Sequence, residues 1–182
     1  MNIPNFISLG RLLVVPIVVW AIVDDRMGLA FWLFVFAGLS DAVDGFLARQ
    51  LSCISVLGEY LDPLADKALL MSIFVALGIE GYLPNWIVIL VVSRDVLIVG
   101  GAMLYHTLTQ NLQMSPIFIS KINTVAQLLL AGFTLAVEAL DVEFGLTILA
   151  LIWLVAATTI ASGATYIIRW TAKAASIEDR SL

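Results

Sequence analysis

The residues best suited to chemistry in this chain of 182 residues are four aspartates in an otherwise apolar sequence. Asp41 and Asp44 are spaced i, i+3, and Asp62 and Asp66 are spaced i, i+4, so each pair falls on one face of an α-helix. A short turn between the two helices would bring all four carboxylates together across an antiparallel pair. Such hard oxygen ligands suit Mg²⁺, Mn²⁺ or Ca²⁺.

Clustered carboxylates in a low-dielectric environment need compensation, and a pair of divalent cations would supply it. Bound metal would polarise a phosphoryl oxygen and stabilise a leaving phosphate. Arg49 adds a forked donor for phosphate beside the cluster. Gly45, Ala48 and Gly58 are small, so the helices or a ligand can approach closely. The sequence therefore predicts a two-metal site that binds a phosphorylated substrate.

The alternative is that these acids form only the solvated mouth of a helical hairpin. Acids inside a membrane segment are usually functional, which favours the metal site. Two neighbouring charges are expected to lie outside it. Glu59 is offset around the helix from Asp62 and Asp66. We therefore expect its carboxylate to lie at the helix end or in solvent. Lys67 is expected to extend its side chain to the membrane interface.

The elements that must carry these residues are long apolar helices. Hydrophobic residues make up 62% of the chain and charged residues 13%, and the mean hydropathy is +1.04. Long runs lack the polar stripe that a helix of a soluble bundle needs. We predict an all-α integral membrane protein, a single domain over residues 1–182 with six transmembrane helices. The expected spans are Phe6–Val23, Leu29–Leu51, Leu57–Ile79, Pro84–Thr107, Ile119–Glu138 and Phe144–Trp170.

Charge predicts the orientation of this bundle. The turns after the first, third and fifth spans carry acids and a single basic residue, whereas most basic residues lie at the opposite helix ends. The positive-inside rule then places both termini and the acidic stretch on the cytoplasmic side. The membrane is expected to be a bacterial plasma membrane. The net charge of −5 argues against a nucleic-acid partner.

The acidic stretch resembles the signature of the CDP-alcohol phosphatidyltransferase family, D-x2-D-G-x2-A-R-x8-G-x3-D-x3-D. Every specified position is filled, and eight identities at fixed spacing make a specific signal. They are Asp41, Asp44, Gly45, Ala48, Arg49, Gly58, Asp62 and Asp66. The family fold is a six-helix membrane domain, usually a homodimer, which agrees with the six predicted spans.

The resemblance implies transfer of a phosphatidyl group from CDP-diacylglycerol to an alcohol, with release of CMP. It implies that two cations, Mg²⁺ or Mn²⁺, are held by Asp41, Asp44, Asp62 and Asp66. It makes Asp66 the general base for the attacking hydroxyl, in keeping with what a carboxylate can do. It also implies a set of residues on the CDP side: Asp44, Gly45, Ala48, Arg49 and Gly58.

The N-terminal stretch IPNFISLGRLLVVP is similar to the family's P-N-x-x-T-x-x-R opening of the first helix. Pro4, Asn5 and Arg11 match, and Ser8 keeps the hydroxyl where threonine is usual. The resemblance places Asn5 and Ser8 beside the nucleotide. The alternative is an ordinary helix start with a proline and a cap.

Two further stretches bear on the acceptor alcohol. Arg94 lies within the fourth span, and Lys121 and Asn123 lie at the start of the fifth. Cations at membrane depth need anionic partners, so these residues are candidates for binding the acceptor's phosphate. The alternative is internal pairing, for example of Arg94 with a motif aspartate.

These stretches, together with the end of the last span, resemble the cardiolipin synthases of the eukaryotic and alphaproteobacterial kind. That resemblance implies phosphatidylglycerol as the acceptor. The alternative within the family is phosphatidylglycerophosphate synthase, which uses glycerol 3-phosphate, has a similar arginine and lysine, and usually has glutamate where Asp95 stands here.

Two other classes remain as alternatives. A cation transporter would predict repeat symmetry, and no second acidic hairpin occurs in the C-terminal half. A membrane prenyltransferase would resemble a longer bundle with two separated aspartate motifs, whereas one is present.

Overall fold

The structure, a computed structural model, is built from helices throughout its described part. It describes the backbone of residues 3–51, 56–109 and 118–178, and the side chains of residues 10–40, 67–101 and 118–168. No strand occurs within those backbone ranges. The helices are α1 Ile3–Val23, α2 Met27–Leu51, α3 Val56–Ile79, α4 Asn85–Thr109, α5 Phe118–Leu140 and α6 Gly145–Glu178. The predicted all-α class and the six helices are confirmed.

The helices pack as a bundle in which α1 contacts α2 and α3, and α5 contacts α2, α3 and α6. Helix α4 packs on α3 and α6. The centre is filled by fully buried side chains of α3, among them Ile73, Phe74 and Leu77. Glycine allows close approach at Gly132, where an added Cβ would lie 2.9 Å from the Phe34 ring of α2. The segments of α3, α4 and α5 that carry candidate site residues thus belong to one packed bundle.

The outer surface of the bundle is strongly apolar. Large hydrophobic side chains are exposed on every helix; Leu13, Trp32, Ile89 and Leu146 are examples. Two described helices, Phe118–Leu140 and Gly145–Ile168, are long and apolar enough to cross a membrane. Three further apolar helical stretches of 10–17 residues occur in the described residues of α1, α2 and α3. These features favour membrane association, and six complete crossings stay a prediction.

The turns after α1, α3 and α5 carry exposed acids, in agreement with the charge pattern of the sequence. Asp25 and Asp141 adopt positive φ angles of 57° and 50° at the helix ends, a conformation that aspartate tolerates better than most residues. The Tyr82 hydroxyl donates a hydrogen bond of 2.9 Å to Asp25, which ties the first of these turns to the second. Desolvation by burial, followed by this hydrogen bond, raises the pKa of Tyr82 above 10.0.

Candidate functional site

The structure places the acidic motif on two consecutive helices, as the spacing predicted. Positions 41–49 belong to α2 and positions 58–66 to α3. The motif side chains, like those of Asn5 and Ser8 on α1, lie outside the described residues. Among the described side chains, no group of three or more His, Cys, Asp or Glu residues could hold a metal ion. The four carboxylates of the motif suit a hard divalent cation by their donor chemistry, and their role as its ligands stays a prediction.

Next to the motif, Asp95 of α4 lies at the centre of a buried ionic network. Its Oδ2 accepts a hydrogen bond of 2.7 Å from Lys67 Nζ, and its Oδ1 accepts one of 2.6 Å from Arg94 Nη1. Asp95 is 1% exposed and Arg94 4%. Each carboxylate oxygen thus has a cation of its own, one from α3 and one from α4 itself.

The expectation that Lys67 extends to the membrane interface was wrong. Its side chain is 28% exposed, and its ammonium group turns inward to Asp95. The physical reason is that a buried carboxylate within reach offers a charged partner, which the interface would replace only with water. Sequence reasoning missed this contact because Lys67 and Asp95 are 28 residues apart. Asp95 itself carried the signal, as an acid inside an apolar span.

Arg94 joins three helices. Besides Asp95, its guanidinium donates to Ser120 of α5 at 2.8 Å and to Ser162 of α6. Internal pairing of Arg94 is therefore present, with Asp95 as the described carboxylate partner. The Nε of Arg94 is buried and has no hydrogen-bond partner among the described residues.

The other two acceptor candidates differ sharply in burial. Asn123 is fully buried, and its Oδ1 accepts hydrogen bonds of 2.9 Å from Thr158 and 2.8 Å from Thr159. Its Nδ2 has no hydrogen-bond partner among the described residues. Lys121 is exposed, and it follows Ser120, the residue that contacts Arg94. The structure therefore groups Arg94 and Asn123 in the α4–α5–α6 junction and places Lys121 at its edge.

A cavity of about 220 Å³ lies between α1, α2, α3 and α5. Arg11 and Lys67 supply its basic groups, and most of the remaining wall is apolar. The full lining is Arg11, Phe34, Ala37, Gly38, Lys67, Leu69, Leu70, Thr124 and Leu128. Arg11 is 4% exposed, although it interrupts an apolar run of α1. Lys67 is already paired with Asp95, so the cavity combines this paired lysine and a buried arginine with an otherwise mainly apolar wall.

Helix α5 also buries polar residues that sequence reasoning missed. Gln127 and Thr134 are fully buried. Neither side-chain polar atom of Gln127 has a hydrogen-bond partner among the described residues, and the same holds for the Thr134 hydroxyl. Asn123, Gln127 and Thr134 recur at i, i+4 and i+11, which is one face of the helix. That spacing was the available signal, and it was hidden by the apolar residues between them.

The chain is similar to one family of known proteins over most of its length. The family model described as CDP-alcohol phosphatidyltransferase matches residues 1–171. The chain is 40% identical over 192 residues to the rice (Oryza sativa subsp. japonica) protein named CDP-diacylglycerol--glycerol-3-phosphate 3-phosphatidyltransferase 1, chloroplastic. That match covers 93% of this chain and 57% of the rice protein.

Two further relatives carry a different name. The chain is 32% identical over 181 residues to the human (Homo sapiens) protein named cardiolipin synthase (CMP-forming), covering 91% of this chain and 60% of the human one. It is 33% identical over 182 residues to a Schizosaccharomyces pombe protein named cardiolipin synthase (CMP-forming) / mitochondrial hydrolase fusion protein. That match covers 92% of this chain and 31% of the fusion protein. The chain thus spans between 31% and 60% of the length of these three relatives.

Proposed function

Because this chain belongs to the CDP-alcohol phosphatidyltransferase family, we propose that it is a phospholipid-synthesising transferase that makes cardiolipin. In this reaction a terminal glycerol hydroxyl of phosphatidylglycerol forms a bond to the phosphatidyl phosphorus of CDP-diacylglycerol. The pyrophosphate bond to CMP breaks, and the hydroxyl proton passes to a base. Relatives named cardiolipin synthase (CMP-forming), at 32% and 33% identity over most of this chain, support the proposal.

The carboxylates of the motif carry the chemical step in this proposal. Asp41, Asp44, Asp62 and Asp66 would hold two divalent cations, Mg²⁺ or Mn²⁺. When bound, these cations supply the charge that stabilises the pyrophosphate and the departing CMP. Asp66 accepts the proton of the attacking hydroxyl. The CDP moiety is bound by Asn5, Ser8, Asp44, Gly45, Ala48, Arg49 and Gly58.

The α4–α5–α6 junction is the proposed site for the acceptor's phosphate. Two buried donors of this junction, Arg94 Nε and Asn123 Nδ2, have no hydrogen-bond partner among the described residues. Buried donors without partners are costly, and a phosphate or hydroxyl oxygen of a ligand would satisfy them. This pair of donors is the single observation that carries the acceptor proposal. Lys121, exposed beside Ser120, would contribute from the edge of the junction.

The charge of the network is suited to phosphatidylglycerol. Lys67 and Arg94 contribute two positive charges and Asp95 one negative charge, which leaves a net charge of +1. The phosphodiester of a phospholipid carries one negative charge, whereas a phosphomonoester carries up to two. The neighbouring cavity has a mainly apolar wall that includes the Asp95-paired Lys67, and this wall is suited to the hydrocarbon part of such a lipid.

A specific observation favours a second candidate function. The 40% identity to the rice protein named for glycerol 3-phosphate points to that acceptor and to phosphatidylglycerophosphate as the product. The two candidates share the donor, the proposed metal site and CMP release. They differ in the charge of the acceptor and in its route of entry, since glycerol 3-phosphate needs an aqueous path.

One product assay separates the two functions. Purified protein is incubated with Mg²⁺, CDP-diacylglycerol and both acceptors, and the lipids are separated by thin-layer chromatography. Cardiolipin as the main product supports the first function. Phosphatidylglycerophosphate without cardiolipin assigns the second, and the absence of CMP release in every mixture contradicts both.

Metal dependence is tested in the same assay. EDTA should abolish activity, and Mg²⁺ or Mn²⁺ should restore it. Asp41→Asn should weaken metal binding, so a higher Mg²⁺ concentration should partly rescue this variant. Full activity of stripped protein in excess chelator would contradict the metal role.

The membrane location, orientation and oligomeric state of the enzyme belong to the same proposal. Residues 1–182 would form one transmembrane domain whose six helices cross a bacterial plasma membrane. The active site would face the cytoplasm, in keeping with the acidic turns at the opposite end, and two copies would form a homodimer. Cysteine labelling of single-cysteine variants in intact cells tests the orientation, and cross-linking tests the dimer.

A further inference from the structure

The Lys67–Asp95 ion pair links the motif helix α3 to α4. Among the side chains described, in residues 10–40, 67–101 and 118–168, Asp95 is the one buried acid. Its 2.7 Å contact with Lys67 reaches across 28 residues of sequence. Burial of an ion pair costs desolvation free energy that the attraction often does not recover, so such a pair is weak evidence of stabilisation. The pair is therefore better considered as a restraint on the position of α3 than as a source of stability.

Lys67 directly follows position 66, the last residue of the acidic motif. An α-helix turns by about 100° per residue, so positions 62 and 66 share one face, and position 67 lies about 100° around the helix from position 66. A contact at position 67 therefore constrains the rotation of α3 near the motif, in addition to the packing of its buried side chains. At a helix radius of about 5–6 Å, a rotation of roughly 10° moves the outer atoms by about 1 Å. Metal–ligand distances tolerate about 0.2 Å.

We propose that Asp95 is a positioning residue, which holds Lys67 and so fixes the rotation of α3 that places positions 62 and 66 for metal binding. This inference rests on the proposed function, since it requires that the motif aspartates bind divalent cations. Asp95 itself would touch neither metal nor substrate in this role. Its loss would let α3 turn and would weaken metal binding before any substrate is present.

The test measures Mn²⁺ binding by isothermal titration calorimetry on the purified full-length protein without substrate. The variants are Lys67→Met, Asp95→Asn and the double variant. We expect the Kd for Mn²⁺ to rise about tenfold in each single variant, the lower end of the effect of residues that orient metal ligands. The double variant should bind Mn²⁺ no more weakly than the weaker-binding of the two single variants, because either substitution alone already removes the Lys67–Asp95 contact.

Lys67→Met is the decisive variant, for two reasons. It keeps the Arg94–Asp95 pair, whereas Asp95→Asn also removes the described carboxylate partner of Arg94. It also removes a cation from the vicinity of an acidic motif, and by charge alone this would strengthen cation binding. Weaker Mn²⁺ binding in Lys67→Met would thus report geometry and not charge.

The matched control is Asp24→Asn, which breaks an exposed ion pair of the same 2.7 Å length with Arg26 in the turn after α1. Its Mn²⁺ affinity should equal that of the wild type. An unchanged Kd for Mn²⁺ in Lys67→Met would overturn the inference, even if this variant lost thermal stability or had a raised KM for a lipid substrate. If the wild type itself binds no Mn²⁺, the proposed metal-dependent function fails, which is a distinct result.

Discussion

Arg94→Ala and Lys121→Ala should differ in what they lose, although both residues are assigned to the acceptor's phosphate. Arg94 is 4% exposed and contacts Asp95, Ser120 and Ser162. Lys121 is exposed. Removal of Arg94 therefore disturbs folding as well as binding, whereas removal of Lys121 should disturb binding alone.

The structure sets the size of each effect. Removal of one partner from a buried ion pair costs about 3–5 kcal/mol of stability. We expect about 3 kcal/mol for Arg94→Ala, because Asp95 keeps Lys67 as a second partner. A buried partner of a charged group contributes about 2–5 kcal/mol to binding, but an exposed one contributes up to about 1 kcal/mol. For Lys121→Ala this corresponds to about a fivefold rise in KM for phosphatidylglycerol.

Two measurements on detergent-solubilised protein check this prediction: thermal unfolding, and initial rates of cardiolipin formation at varied phosphatidylglycerol. Lys121→Ala should keep the wild-type unfolding temperature and the wild-type KM for CDP-diacylglycerol. Arg94→Ala should unfold at a lower temperature, lose transfer to phosphatidylglycerol and still bind CDP-diacylglycerol. Equal unfolding temperatures for the two variants would refute the structural reasoning, and an unchanged acceptor KM in Lys121→Ala would remove that residue from the site.

Three further predictions follow from other parts of the molecule. Asp66→Asn should lower kcat by about 10²–10⁴-fold with a smaller loss of metal and nucleotide binding; near wild-type turnover would exclude it as the base. Gly78→Ala should destabilise by about 1–3 kcal/mol, because its Cβ would lie 2.7 Å from Val88 Cγ2, while Gly100→Ala, with nothing within 4 Å, should not. The raised pKa of Tyr82 predicts a phenolate absorbance midpoint above 10.0, measured as the difference between wild type and Tyr82→Phe. Since that pKa is raised in the folded state, stability falls as pH rises through this range; a midpoint at or below 10.0 would contradict the assignment.

Local sequence determined the helices and the candidate chemistry. Long apolar runs, with acidic turns after the first, third and fifth, predict α1 to α6 because helix length and the need to pair backbone polar groups are local properties. The motif on α2 and α3 was readable for the same reason, since its eight positions have fixed spacing along the chain. Helix ends differ from the predicted spans by at most three residues, except that α6 continues eight residues past Trp170 to Glu178.

Tertiary structure decided which partner each buried polar group has. The inward turn of Lys67 to Asp95, and the joining of Arg94 to Ser120 and Ser162, depend on which helices are neighbours in the bundle. A charged side chain within an apolar helix indicates that a partner is needed. It does not indicate which residue supplies that partner, and the serines that Arg94 contacts are 26 and 68 positions away. That choice follows from packing, because the free energy of a buried charge depends on the atoms within a few ångströms of it and not on its sequence neighbours.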